Sequence, residues 1–74
     1  MNDMREKIRL ILIDLRTQNK LTQTDVGKAV GKSKNAVASW EQGLSLPDPV
    51  TLYHLARLYG KTMDYMYGEG GDAE

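Results

Sequence analysis

Lys34, Asn35 and Ser39 crowd one short stretch that carries no acid until Glu41. The chemistry open to such side chains is directional hydrogen bonding. An ammonium donates to guanine O6 and N7, a carboxamide pairs with N6 and N7 of adenine, and a hydroxyl reaches several base edges. Val37 and Trp40, three apart, share the inner side of a helix, which leaves Lys34, Asn35, Ala38, Ser39 and Gln42 on the other. An ordinary solvated face mixes acids with bases. This one has polar, small and cationic groups only, and a major groove about 12 Å wide admits a helix of that kind.

Holding that face in place requires a scaffold, and helix signals recur along the whole chain while strand signals do not. Ile8, Ile11, Leu12 and Leu15 recur at spacings of three and four, which predicts an amphipathic first helix from about Asp3 to Asn19. Thr22 and Asp25 form a capping-box pattern that starts a second helix, with Val26, Ala29 and Val30 as its inner face and Gly31 as its stop. Ser33 caps a third helix that reaches Gln42 and closes at Gly43. Asp48-Pro49 opens a fourth, which runs to Tyr59 with Leu52, Leu55, Ala56 and Tyr59 buried and Gly60 after it. Thr62 caps a short fifth through Met63, Met66 and Tyr67, ended by Gly68. The reading is one all-α domain over residues 1–68 with a polar, flexible tail at 69–74.

Only Gly31-Lys32-Ser33 joins the second and third helices, and so short a link makes them pack at a steep angle as a helix-turn-helix. Gly27, inside the second helix, costs about 1 kcal/mol relative to Ala. The lack of a side chain there allows the third helix a close approach. Gln23, Lys28 and Lys32 lie near the start of helix two and around the turn, in reach of phosphate oxygens, and the free N–H groups of that helix start add to an anion site. Thr22, at the same helix start, and Gln42, at the far end of helix three, are assigned to phosphate with them.

The chain has 74 residues, ten basic and ten acidic, so its net charge is zero and taken alone disfavours nucleic acid. The charge is polarised, however. Five cations and two anions lie between Arg16 and Gln42, against two cations and five anions from Asp48 onward. With no cysteine and a single histidine, His54, neither a disulfide nor a metal site is expected. His54 is expected to face solvent, Trp40 to sit in the core, and Tyr53, Tyr59, Tyr65 and Tyr67 to pack or form an interface. Leu10-Ile11-Leu12-Ile13 is too short for a signal or a membrane span, so a soluble, cytoplasmic chain is expected. No carboxylate cluster or phosphate-cradling glycine loop is present, which argues against an enzyme. No cofactor or small-molecule ligand is implied.

The stretch from Leu21 to Gly43 resembles the helix-turn-helix of the Xre/Cro-repressor, or lambda-repressor-like, family. Leu15-Arg16 before it fits the same pattern, as do Pro47-Asp48-Pro49-Val50-Thr51-Leu52, Leu55-Ala56 and Met63–Gly68 after it. The likeness covers about residues 5 to 68. It implies a compact five-helix domain that binds a pseudo-palindromic operator in double-stranded DNA as a homodimer, as a transcriptional regulator and repressor. By the same likeness Gln23 contacts a phosphate, Ser33, Lys34, Asn35 and Ser39 face the bases, and Arg16 and Glu41 form a structural ion pair. Lys32 departs from the family, which has an apolar residue there. Ala38 and Ser39 are shorter than usual, which puts the weight of base reading on Lys34 and Asn35. A protein-interaction module on the same fold, such as an antitoxin or an antirepressor, is the alternative. A weak homodimer is expected through apolar residues of the C-terminal region, with or without a patch of Leu10 and Ile13.

Overall fold

The structure is a computed structural model and describes residues 4–69. The sequence reading of a start at Asp3 and, except for Glu69, of the tail at 69–74 falls outside the described residues. Five helices follow one another: α1 Met4–Gln18, α2 Gln23–Val30, α3 Lys34–Glu41, α4 Pro49–Tyr59 and α5 Met63–Met66. Among the described residues there is no strand, and no helix is long and apolar enough to cross a membrane.

Local chemistry accounts for the boundaries. Thr22, Ser33, Asp48 and Thr62 each sit in extended backbone and accept a hydrogen bond from the N–H three residues on, at 3.0, 3.1, 2.7 and 3.1 Å. Each satisfies a donor that the first helical turn would leave unpaired. At Thr22 the bond is reciprocated, since its own N–H donates to Asp25 Oδ2 at 2.9 Å. Gly31, at φ 74°, ends α2 in the left-handed region, where a side chain is costly. The stop of α1 has no such marker: Lys20 takes the left-handed turn there at φ 58°.

One core joins the five helices. Ile8, Leu12 and Leu15 from α1 meet Val26 from α2, Val37 and Trp40 from α3, Leu52, Leu55 and Ala56 from α4, and Met66 from α5. Trp40 is only 6% exposed. Two expectations about burial need correction. Ala29 faces solvent; the inner side of α2 is instead Val26 and Gly27, flanked by Val30. Tyr59 is half-buried at the rim of the core, while Thr51, one turn into α4, is fully buried.

The α2 phase is set by a single close approach. A Cβ on Gly27 would stand 2.6 Å from the Lys32 carbonyl oxygen and 3.2 Å from the Ser33 carbonyl carbon. Both are main-chain atoms of the turn, so neither can swing away. The turn therefore rests directly on the backbone of α2. This seats Ser33, and with it the first turn of α3, at a fixed height over that helix.

Gly27→Ala therefore destabilises the fold. Alanine's intrinsic helix advantage, about 1 kcal/mol, is outweighed by overlap that costs roughly 1–3 kcal/mol. Thermal unfolding reads this as a drop of roughly 4–8 °C for each kcal/mol of stability removed, and a rise in melting temperature would contradict it.

The caps also predict a pH dependence. The backbone N–H of Thr22 holds the Asp25 carboxyl below the usual carboxylate range, and the N–H of Thr51 does the same for Asp48. A group whose folded pKa is depressed stabilises the fold above its unfolded pKa, and that stabilisation disappears as pH falls through the folded value. Melting temperature is thus flat near neutrality and declines below about pH 4. Asp48→Asn makes the acid decline shallower, and an unchanged slope in that variant would remove Asp48 from the account.

Candidate nucleic-acid interface

The helix-turn-helix seats its second helix with the N-terminal turn outward. Ser33, Lys34 and Asn35 are exposed. Ser33 Oγ accepts the Ala36 N–H as the cap, which leaves its hydroxyl proton to donate elsewhere. Among the described residues, no hydrogen bond or ion pair engages the Lys34 ammonium or the Asn35 carboxamide, so both present their full donor and acceptor sets to solvent.

Farther along α3 the face closes. Ala38 and Ser39 are half-buried rather than open, and the chain that leaves the helix folds back onto Ser39. The Leu44 N–H donates to the Ser39 carbonyl at 3.0 Å, and Ser39 Oγ lies 2.7 Å from Ser45 Oγ. Gln42, the C-cap, is exposed again. The open donor surface thus lies at the first turn, and Ser39 retains only the hydrogen-bonding capacity that Ser45 does not use.

Behind this surface sits a buried polar network. Arg16 Nε and Nη2 donate to the two oxygens of Glu41 at 2.7 and 3.0 Å, a bidentate pairing of guanidinium and carboxylate. Arg16 Nη1 also donates to the Leu21 carbonyl at 2.9 Å. Gln23 Nε2 donates to Glu41 Oε1 at 3.0 Å. Glu41, only 7% exposed, is thereby bonded from α1 and from the first residue of α2. The hydrogen bond to Glu41, outweighing burial, raises the Arg16 pKa above its already high ordinary value, so the guanidinium stays charged at any working pH. Tyr59 lies at the same site, and burial, followed by the Glu41 charge, pushes its phenol up to about 12.

This network places Gln23 differently from a free surface amide. Its side chain is half-buried, and one of its two N–H donors serves Glu41. The second donor remains. Lys28 is exposed on the last turn of α2. The Lys32 ammonium reaches across to Asp48 Oδ2 at 3.9 Å, which ties the turn to the start of α4. Thr22 spends its hydroxyl oxygen on its own cap.

Sequence reading missed three of these partners: Ser45 for Ser39, Asp48 for Lys32, and Gln23 for Glu41. It also missed Arg9, whose Nη1 donates to the Glu41 carbonyl at 3.3 Å, at the C-terminal end of α3. The Lys32, Glu41 and Arg9 pairs are set by how separate elements meet, whereas Ser45 reaches Ser39 through the left-handed turn at Gly43 that ends α3. The spacing from Thr22 to Asp25 signals a cap because both sit on one helix.

Comparison with known proteins agrees with the helix-turn-helix fold. A helix-turn-helix family model matches residues 12–66. The P22 c2 repressor, solved in complex with synthetic operator 9T in the presence of Tl+, is similar in structure with a TM-score of 0.71. It is 30% identical, and the match covers 89% of this chain and 94% of that one. No curated protein matches significantly.

Removing one member of the buried pair tests the network. Arg16→Met leaves the Glu41 carboxylate with the Gln23 amide alone. Stripping one partner from a buried pair costs about 3 kcal/mol or more, which chemical denaturation reads directly. A loss under about 1 kcal/mol, the range of an exposed pair, would show that the network is ornamental to the fold.

Proposed function

The chain belongs to the helix-turn-helix family, in its phage-repressor-like branch, and we propose that it is a repressor that binds a pseudo-palindromic operator as a dimer. The single observation that carries this reading is the uncommitted first turn of α3. Lys34 and Asn35 are exposed and without internal partners among the described residues. They stand on a helix whose other side is locked into the core through Val37 and Trp40. A rigid element with free donors at its leading end is what reading base edges requires.

In this proposal the first turn of α3 enters the major groove. Lys34 donates to guanine, Asn35 pairs with adenine, and the Ser33 hydroxyl proton supplies a further donor. Ala38 and Ser39 line the edge with smaller roles, Ala38 as a surface for a thymine methyl. The start of α2 meets the backbone: the second N–H of Gln23 and the free N–H groups of the helix end bind phosphate. Lys28, Lys32, Thr22 and Gln42 contribute around them. Glu41, facing Arg16, keeps its charge off the DNA while orienting Gln23. Two copies place their α3 helices in successive major grooves about 34 Å apart.

The Asp48 charge does not oppose this arrangement. Asp48 is engaged with Lys32 and with the α4 cap. A neutral total is compatible with a basic leading edge when the charge is segregated in this way.

The test is selection from random duplex DNA, followed by titration of single variants on the enriched site. A two-fold motif is expected. Asn35→Ala and Lys34→Ala should relax preference at particular base pairs, by roughly 1–3 kcal/mol for each base pair no longer read. Lys28→Ala should weaken all sequences alike and reduce the salt dependence. No enrichment, or an Asn35→Ala protein with unchanged site and affinity, would overturn the proposal.

A further inference from the structure

Lys34 and Asn35 begin α3 without internal partners among the described residues, whereas Ser39, one turn on, has one. The end of the helix supplies it. Gly43, in the left-handed region at φ 78°, donates its N–H to the Trp40 carbonyl at 3.2 Å, and the Leu44 N–H donates to the Ser39 carbonyl at 3.0 Å. Two such bonds around a left-handed residue make a Schellman turn, which sets the direction of the departing chain. Arg9 braces that turn from α1. Its Nη1 donates to the Glu41 carbonyl at 3.3 Å, and its Cδ lies 3.2 Å from where a Cβ on Gly43 would stand. The turn delivers Ser45 to Ser39, with 2.7 Å between the two hydroxyl oxygens.

Ser39 follows Asn35 by four residues, so it shares that side of α3 and stands about 6 Å farther along the axis. Base pairs repeat about every 3.4 Å, so in the proposed groove the two residues meet different base pairs. A hydroxyl has one proton and two lone pairs. Between Ser39 and Ser45 either oxygen can be the donor. When Ser39 donates to Ser45, it offers the groove lone pairs only. When it accepts, it offers its proton. Rotation of two hydroxyl hydrogens exchanges these states, so the base pair beneath Ser39 is met by a donor or an acceptor as its edge requires.

We propose that Ser45 is a specificity-determining residue: its hydroxyl keeps Ser39 able to donate or accept, and the base pair beneath Ser39 is accepted in any identity. The proposal rests on the operator reading and narrows it, confining discrimination to the first turn of α3. Ser45 acts through Ser39 and is a positioning residue. A neutral hydrogen bond shifts an equilibrium roughly two- to tenfold, so a base edge offers Ser39 no more than Ser45 already supplies. Without Ser45, the Asn35 carbonyl, one turn back, takes the Ser39 proton. Thr17 makes that bond in this same protein, donating Oγ1 to the Ile13 carbonyl four residues earlier at 2.9 Å. The Ser39 oxygen is then an acceptor only, and an acceptor selects the amino groups of adenine and cytosine over guanine O6 and thymine O4.

Selection from random duplex DNA tests the assignment on wild type, Ser45→Ala, Ser45→Thr, Ser39→Ala and the double variant of Ser39→Ala with Ser45→Ala. Ser45 is exposed, and its truncation leaves both main-chain bonds of the turn, so Ser45→Ala keeps its melting temperature to within a few degrees. Wild type and Ser45→Thr are expected to enrich one motif, with no preference at the position beneath Ser39. Ser39→Ala enriches the same motif and binds every site somewhat more weakly. Ser45→Ala adds a preference for adenine or cytosine at one position of each half-site, roughly two- to tenfold, and the double variant loses it. Three results overturn the assignment and leave the operator proposal standing. One is an unaltered motif for Ser45→Ala, and another is a base preference that Ser39→Ala alone relaxes. The third is Ser45→Ala binding all sequences more weakly with no new preference, the mark of a phosphate contact by Ser45 itself. If wild type enriches no duplex, the operator proposal falls and this assignment with it.

Discussion

The main chain of the turn lies so close to α2 that no side chain fits between them. The Lys32 carbonyl oxygen occupies the space where a Cβ on Gly27 would stand, and the placement of the first turn of α3 follows from it. With the turn pressed against α2, Ser33 starts α3 at one height and one angle. The packing of Val37 and Trp40 in the core then fixes its rotation. The side of α3 that remains is the side with Lys34 and Asn35. A bulkier residue at Gly27 would tilt the helix before any of its own side chains had changed.

The Arg16–Glu41–Gln23 network serves the same end by a different force. Apolar packing is tolerant of small rotations, whereas a bidentate pairing is not. Arg16 reaches from α1 to Glu41 at the end of α3, and Gln23 joins them from the start of α2. The anion at the end of α3 is thus neutralised within the protein, and the amide at the start of α2 is held in one orientation. A chain of neutral net charge can in this way keep a leading edge of donors and cations while Asp25, Glu41 and Asp48 are engaged in caps and pairs.

Much of the architecture was legible from the order of residues, because its causes are local. Thr22 with Asp25, Ser33, Asp48-Pro49 and Thr62 act within one turn, and they mark the helix starts. The end of α1 was less legible, since Lys20 adopts the left-handed conformation without a glycine to announce it. The phase of α2 was misjudged at Ala29. A glycine carries no hydrophobic signal, so periodicity could not show that Gly27 holds an inward place. At the interface, the free state of Lys34 and Asn35 fits the sequence reading of α3, but the partial closure over Ala38 and Ser39 does not. At Ser39 that closure comes from the left-handed turn at Gly43, which returns the Leu44 N–H to the Ser39 carbonyl and sets Ser45 beside Ser39. The tie of Gln23 to Glu41 was hidden because it depends on how α2 and α3 meet.

The central claim is that the leading turn of α3 and the start of α2 meet DNA. Amide chemical-shift mapping during titration with a selected duplex tests it most directly. The account predicts shifts concentrated at Thr22, Gln23 and Ser33–Asn35, with Tyr65 and Met66 of α5 unmoved. Shifts confined to α4 and α5, with Lys34 and Asn35 silent at saturation, would contradict it.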